Sequence, residues 1–180
     1  MPRGKRIWYP GAMYHITARG NRKENIFLSD YDRMKYLATI QKVKTKFRFN
    51  LHAYCLMSNH IHLLIETTQF PPGKILHLLH LNYSKYFNKK YDHVGHLFQG
   101  RYWDKLIMNR YYFTKACSYI HLNPSTANLL DEENSPLWSS HYYYANNESD
   151  PLITKELLLA YIDALSYDEW YKLQQFENKK

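Results

Sequence analysis

Two residue pairs in this sequence are best suited to chemistry: the histidines of His60-Ile61-His62, and Tyr119 with Asn123 four positions later. Side chains two apart on a β-strand point to the same side. If residues 60–67 form a strand, His60 and His62 project together, while Ile61, Leu63 and Ile65 project into a core. Two neutral imidazoles on one face suit a divalent metal ion. The same spacing also fits two ordinary surface histidines. Cys55 is set aside as a further ligand, because its parity is odd and a turn at Ser58-Asn59 intervenes. His77, His80, His93, His96 and His121 fall in no cluster with ligand spacing.

Tyr119 and Asn123 share one face of a helix if residues 110–122 are helical. A tyrosine hydroxyl, with an ordinary pKa of about 10, is a weak nucleophile at neutral pH. A nearby metal ion could polarise a phosphate under attack and stabilise the developing charge. Asn123 could then offer its side-chain oxygen as a third ligand. Spacing leaves alternatives open. Tyr119 could be a core aromatic and Asn123 a helix-terminal residue before Pro124, and Tyr112, two turns earlier on nearly the same face, is an equal geometric candidate.

Positioning these groups requires a sheet and helices. Residues 12–19 alternate as a strand that ends at Gly20-Asn21. Ser29 or Asp30 can cap a helix with Met34, Leu37, Ile40 and Val43 on its apolar side. Runs 51–57 and 60–67 flank Ser58-Asn59 and read as a tight hairpin. Pro71-Pro72-Gly73 opens a helix to about Lys89, residues 101–108 form a strand, and a helix from Arg110 should stop before Pro124. The order strand, helix, strand, strand, helix, strand, helix is the ferredoxin-like split βαβ pattern of an α+β fold, with one added helix. The sheet is expected to be antiparallel, with helices on one face and a site on the other. Residues 1–130 are expected to form the main domain and residues 131–180 an acidic helical extension, with helices near 138–146, 154–162 and 166–176.

Charge follows the same division. Residues 1–130 hold 20 Lys and Arg against 6 Asp and Glu, whereas residues 131–180 hold 4 against 10. A basic body points to a polyanionic partner. Many of the 30 aromatic residues neighbour a cation, as in Arg6-Ile7-Trp8-Tyr9, Arg101-Tyr102-Trp103 and Arg110-Tyr111-Tyr112. Cations on phosphates and rings under bases are what hold single-stranded nucleic acid. No apolar run reaches the roughly 18 residues needed to span a bilayer. The basic N-terminus lacks the apolar stretch of a secretory signal, and two cysteines make no disulfide framework, so a cytoplasmic setting is expected.

Four stretches together carry a resemblance: Tyr14-His15-Ile16-Thr17-Ala18-Arg19-Gly20-Asn21, Ser58-Asn59-His60-Ile61-His62-Leu63-Leu64, Phe98-Gln99-Gly100-Arg101-Tyr102, and Tyr119-Ile120-His121-Leu122-Asn123-Pro124. With Trp138-Ser139-Ser140 after them, they resemble the REP-associated tyrosine transposases of the single-tyrosine HUH superfamily. The resemblance implies an enzyme that cleaves and rejoins single-stranded DNA at hairpins of palindromic repeats, through a 5′-phosphotyrosine bond. It implies Tyr119 as nucleophile, in preference to Tyr112, and His60, His62 and Asn123 as ligands of Mg²⁺ or Mn²⁺. Many relatives carry Gln where this chain has Asn123. By the same likeness Arg3, Lys5, Arg6 and Trp8 would help read the bases beside the hairpin, and Arg19, Arg22, Arg101 and Lys105 would meet phosphates. A monomer or homodimer is expected. The competing reading is a domesticated DNA- or RNA-binding protein without catalysis. A zinc hydrolase of small molecules fits poorly, because no third His or carboxylate has the spacing.

Overall fold

Ser29 and Asp32 start the first helix. The Asp32 carboxylate turns back to accept the N–H groups of Leu28 (2.8 Å) and Ser29 (2.9 Å), which the helix itself leaves unbonded. The computed structural model describes residues 7–126 and 138–177. Its elements are β1 (Met13–Arg19), α1 (Asp30–Phe47), β2 (Asn50–Met57), β3 (His60–Glu66), α2 (Pro72–Tyr91), β4 (Trp103–Ile107), α3 (Arg110–Thr126), α4 (His141–Ala145), α5 (Glu156–Tyr161) and α6 (Tyr167–Glu177). Pro72 opens α2, where a missing N–H costs nothing. The strands form one sheet in the order β2-β3-β1-β4, with every neighbouring pair antiparallel. That is the α+β ferredoxin-like arrangement expected from the element order.

Alternation divides the sheet into two faces. Tyr14, Ile16 and Ala18 of β1 and Ile61, Leu63 and Ile65 of β3 are buried in one core with Tyr36, Ile40 and Val43 of α1 and Ile75, Leu76, Leu79 and Tyr83 of α2. Met34, expected on the buried side of α1, is instead 52% exposed, and Tyr36 takes the inner position. The other face carries His15, Thr17 and Arg19 of β1, which pair in register with Leu64, His62 and His60 of β3.

This second face is not wholly open. α3 lies across β2 and β3, leaving the β1–β4 half uncovered. The physical reason is that Ala53, Cys55 and Leu64 on the covered half are apolar and need shelter from water. α3 also continues through Asn123 and Pro124 to Thr126 rather than stopping before the proline. A proline is costly in a helix interior, but only Ser125 and Thr126 of α3 follow this one.

The described part of the acidic extension carries α4, α5 and α6, helical as expected, and packs on the body. Ser140 and Tyr54 exchange hydrogen bonds, Tyr54 N–H to Ser140 Oγ at 2.9 Å and Ser140 N–H to Tyr54 O at 3.0 Å. Further along, Tyr144 donates to His52 O (2.9 Å) and Thr154 N–H to Leu51 O (2.8 Å). These contacts cover the outer edge of β2, whose backbone would otherwise be unpaired. Residues 127–137, which include the expected division between residues 130 and 131, lie outside the described residues. Among the described residues no helix is long and apolar enough to cross a membrane.

Candidate active site

β3 supplies His60 and His62, and their even positions place both rings on the second face, as parity requires. The two ring centroids are 5.1 Å apart. His60 Nδ1 lies 2.7 Å from Asn59 Oδ1. From above, α3 brings Tyr119 and Asn123 down to the same point. Asn123 Nδ2 is 3.4 Å from His62 Nε2, and the Asn123 side chain also hydrogen-bonds His60. The Tyr119 ring stands 5.3 Å from the His62 ring at 83°. The strand face and the helix face therefore meet.

β1 adds residues that spacing did not single out. His15 Nε2 lies 3.0 Å from His62 Nδ1, and Thr17 Oγ1 lies 3.1 Å from the same nitrogen. The His15 ring is 5.6 Å from the Tyr119 ring and meets Trp103 edge-on at 6.3 Å. The signal was present in the alternation of β1, where His15, Thr17 and Arg19 interleave with apolar Tyr14, Ile16 and Ala18. His15, Thr17, His62, Trp103, Lys105, Tyr112, Lys115 and Tyr119 line an open cavity of about 570 Å³.

Electrostatics favour neutral imidazoles. Burial, with help from His15 and His60, lowers the His62 pKa to about 3. Burial and the Lys105 ammonium lower His15 to about 4. Burial and Arg19 also lower His60, against the opposing hydrogen bond of Asn123. At neutral pH each ring keeps a lone pair, the form a metal ligand requires.

Cys55 is placed differently from expectation. Across the two-residue turn, odd positions of β2 pair with even positions of β3, so Cys55 sits directly opposite His62 and shares its face. It still makes a poor ligand. Burial raises its thiol to about 12, and Sγ points to the Met57 sulfur at 3.4 Å. Among the described residues no three His, Cys, Asp or Glu side chains converge as a metal site. A metal ion here would be held by the two imidazoles and the Asn123 amide oxygen, a set without negative charge. The imidazoles suit a borderline divalent ion and the amide oxygen a harder one, and either would draw its remaining oxygens from a phosphate and water.

The expected nucleic-acid contacts are dispersed. Arg19 is exposed beside His60, and Arg22 sits in a 3-10 turn just beyond β1, with positive φ. Lys105 lines the Tyr119 cavity and covers the Tyr112 ring at 5.4 Å. Arg101 lines a second cavity of about 760 Å³, between α2 and the loop before β4, with His77, His80 and Phe98. Trp8 lies at the other end of the sheet, where Nε1 donates to Thr67 Oγ1 at 3.1 Å. Arg3, Lys5 and Arg6 lie outside the described residues.

Against known proteins, residues 9–123 match the family model described as IS200-like transposase. No curated protein matches the sequence. Among solved structures the chain is similar to a REP-associated tyrosine transposase bound to a REP hairpin. The two share 18% identity and a TM-score of 0.65, over 87% of this chain and 93% of the other. A structure assigned as a transposase from Deinococcus radiodurans R1 shares 14% identity over 74% of this chain and 98% of its own, with a TM-score of 0.47. At these identities the first likeness is one of fold.

Proposed function

The chain belongs to the IS200-like transposase family, and from that premise we propose that it is a metal-dependent single-strand DNA transesterase that cuts and rejoins DNA beside a hairpin. The observation that carries this reading is the meeting of Tyr119 and Asn123 with the His60–His62 pair. The similar protein of known fold is bound to a REP hairpin, and a hairpin with an unpaired flank is the substrate proposed here.

In the proposed reaction the Tyr119 hydroxyl oxygen attacks the scissile phosphorus. The Tyr119 hydroxyl gives up its proton, its oxygen bonds to the 5′-phosphate of the downstream strand, the P–O3′ bond breaks, and the 3′ oxygen leaves and takes up a proton. Rejoining reverses the exchange with a 3′-hydroxyl as attacking group. Tyr119 is half exposed, so it can reach a strand laid in the open cavity. A Mg²⁺ or Mn²⁺ ion bound by His60, His62 and Asn123 would supply Lewis-acid stabilisation of the phosphate charge. Lys105 and Arg19 would neutralise neighbouring phosphates, and Trp103 and Tyr112 offer rings to bases. Arg22 and Arg101 would extend the phosphate track. Arg3, Lys5, Arg6 and Trp8 are proposed to contact the bases flanking the hairpin.

The test is a labelled hairpin oligonucleotide incubated with Mn²⁺ and resolved on a denaturing gel. Wild type should form a covalent adduct and Tyr119→Phe should form none. An adduct in the variant sinks the assignment of the nucleophile, and tight hairpin binding without cleavage under any divalent metal favours a non-catalytic binding protein.

A further inference from the structure

His15 begins a hydrogen-bonded row that runs through the candidate metal site. Its Nε2 lies 3.0 Å from His62 Nδ1, Thr17 Oγ1 approaches that nitrogen to 3.1 Å, and Asn123 Nδ2 lies 3.4 Å from His62 Nε2 on the far side. Register explains the reach. Thr17 is the direct cross-strand partner of His62, and His15 is its diagonal neighbour on the same face. Trp103 and Tyr119 hem the His15 ring on two sides, which limits its rotation.

A neutral imidazole has one donor and one acceptor nitrogen, so two proton arrangements are available to the row. In the first, His62 carries its proton on Nδ1 and donates it to His15 Nε2, with Thr17 Oγ1 sharing that proton. His62 Nε2 then keeps its lone pair and accepts the Asn123 amide N–H. In the second, His15 Nε2 donates to His62 Nδ1. His62 then carries its proton on Nε2, and the Asn123 amide must turn over to present oxygen. Only the first arrangement leaves a lone pair on the nitrogen that faces Asn123, and an unconstrained imidazole prefers the second.

We infer that His15 is a positioning residue: by accepting the Nδ1 proton of His62, it holds that ring in the tautomer whose Nε2 lone pair faces Asn123 and an incoming metal ion. The consequence for metal binding rests on the reading proposed above. The tautomer does not, since it belongs to the metal-free protein.

The experiment is nitrogen-15 NMR of the histidine rings in metal-free protein near pH 7.5, with the His62 signals identified by their loss in His62→Asn. Wild type should show His62 protonated on Nδ1. His15→Phe with Thr17→Val removes both acceptors and should move the proton to Nε2. His15→Gln restores an acceptor oxygen and should keep it on Nδ1. Unchanged signals from His121, on the other side of α3, report an intact fold. Mn²⁺ affinity measured by calorimetry should fall about tenfold or more in the double variant, as for lost partners of other ligating histidines. A wild-type His62 protonated on Nε2, or a tautomer indifferent to the double substitution, overturns the inference. A shifted tautomer with no Mn²⁺ bound by either protein supports the role of His15 and removes the metal reading instead.

Discussion

The Tyr119 ring stands 5.3 Å from the His62 ring, edge to face at 83°, although one comes from α3 and the other from the middle of β3. Tyr112 lines the same cavity but lies under Lys105. The two tyrosines, equivalent by helix spacing, are therefore not equivalent in space. Tyr119→Phe should lower the rate of adduct formation on the order of a thousandfold or more, as loss of a nucleophile does. Tyr112→Phe should keep most of the rate. Single-turnover gels on both variants make the comparison, and the reverse ranking would move the nucleophile to Tyr112.

Chelation separates binding from cutting. With EDTA the protein should still retain the hairpin, because its cations do not depend on the metal, while adduct formation stops. Asn123→Ala should raise the Mn²⁺ concentration needed for half-maximal cutting about tenfold, and His62→Ala by more, since each removes a proposed ligand. A metal titration of cleavage measures both. An Asn123→Ala curve lying on that of wild type would leave the site with two protein ligands only.

Histidine burial predicts how stability depends on pH. His62 and His80 are both lowered to about 3 by burial first and by neighbouring histidines second. A histidine depressed in the folded state takes up its proton in the unfolded chain first. Stability is then full above about pH 6.5 and declines as pH falls toward the folded values. The metal-free protein should lose about 2 kcal/mol or more between pH 6.5 and 4.5, measured by urea titration at each pH. His80→Phe should flatten that slope, and a stability constant across this range would contradict the burial argument.

Asp32 adds a loss of the same sign at lower pH. Burial alone would raise its carboxyl, but hydrogen bonds from Lys90, Tyr91, Tyr86 and the Leu28 N–H outweigh burial and hold it well below the usual range. Its contribution is present above the unfolded value near 4 and declines below it. Asp32→Asn should cost about 3 kcal/mol at pH 7, because the donors around it lose a charged acceptor. Denaturant midpoints of variant and wild type give the difference, and a loss under about 1 kcal/mol would mean that the asparagine meets the same donors.

Ser140 joins the extension to both the sheet and α3. Its Oγ accepts from Tyr54 N–H at 2.9 Å and lies 2.8 Å from His121 Nε2, while His121 Nδ1 lies 2.7 Å from Tyr167 Oη. Ser140→Ala leaves two buried groups unsatisfied and should destabilise by about 2 kcal/mol. Thermal unfolding measures it, and a shift near zero would show that the row does not bind the extension to the body.

Alternation and punctuation made most of the fold legible. Ser29, Pro72 and the Ser58-Asn59 turn marked where elements begin and reverse, and the strand periods placed His60 and His62 on one side. Local patterns do not encode distance between elements, so the approach of Tyr119 to His62 was invisible until α3 was seen to cross β3. The misjudged parity of Cys55 has a related cause. A two-residue turn makes odd positions face even ones across the hairpin, so counting straight through the turn inverts the answer. His15 was overlooked because one histidine in an alternating strand looks like any half-buried polar residue. Pro124 reads as a helix stop in sequence, yet α3 runs through it for two more residues.

On α3, Tyr119 and His121 are separated by about 200° of helical rotation, so the tyrosine looks toward the sheet and the histidine into the extension. In the proposed reaction this helix would carry the nucleophile on one side and its hold on the extension on the other. Substitutions at Tyr167 or Ser140 would turn it through small angles without touching the atoms that react. Under the proposed reaction, variants of the extension should change which phosphate is struck before they change how fast.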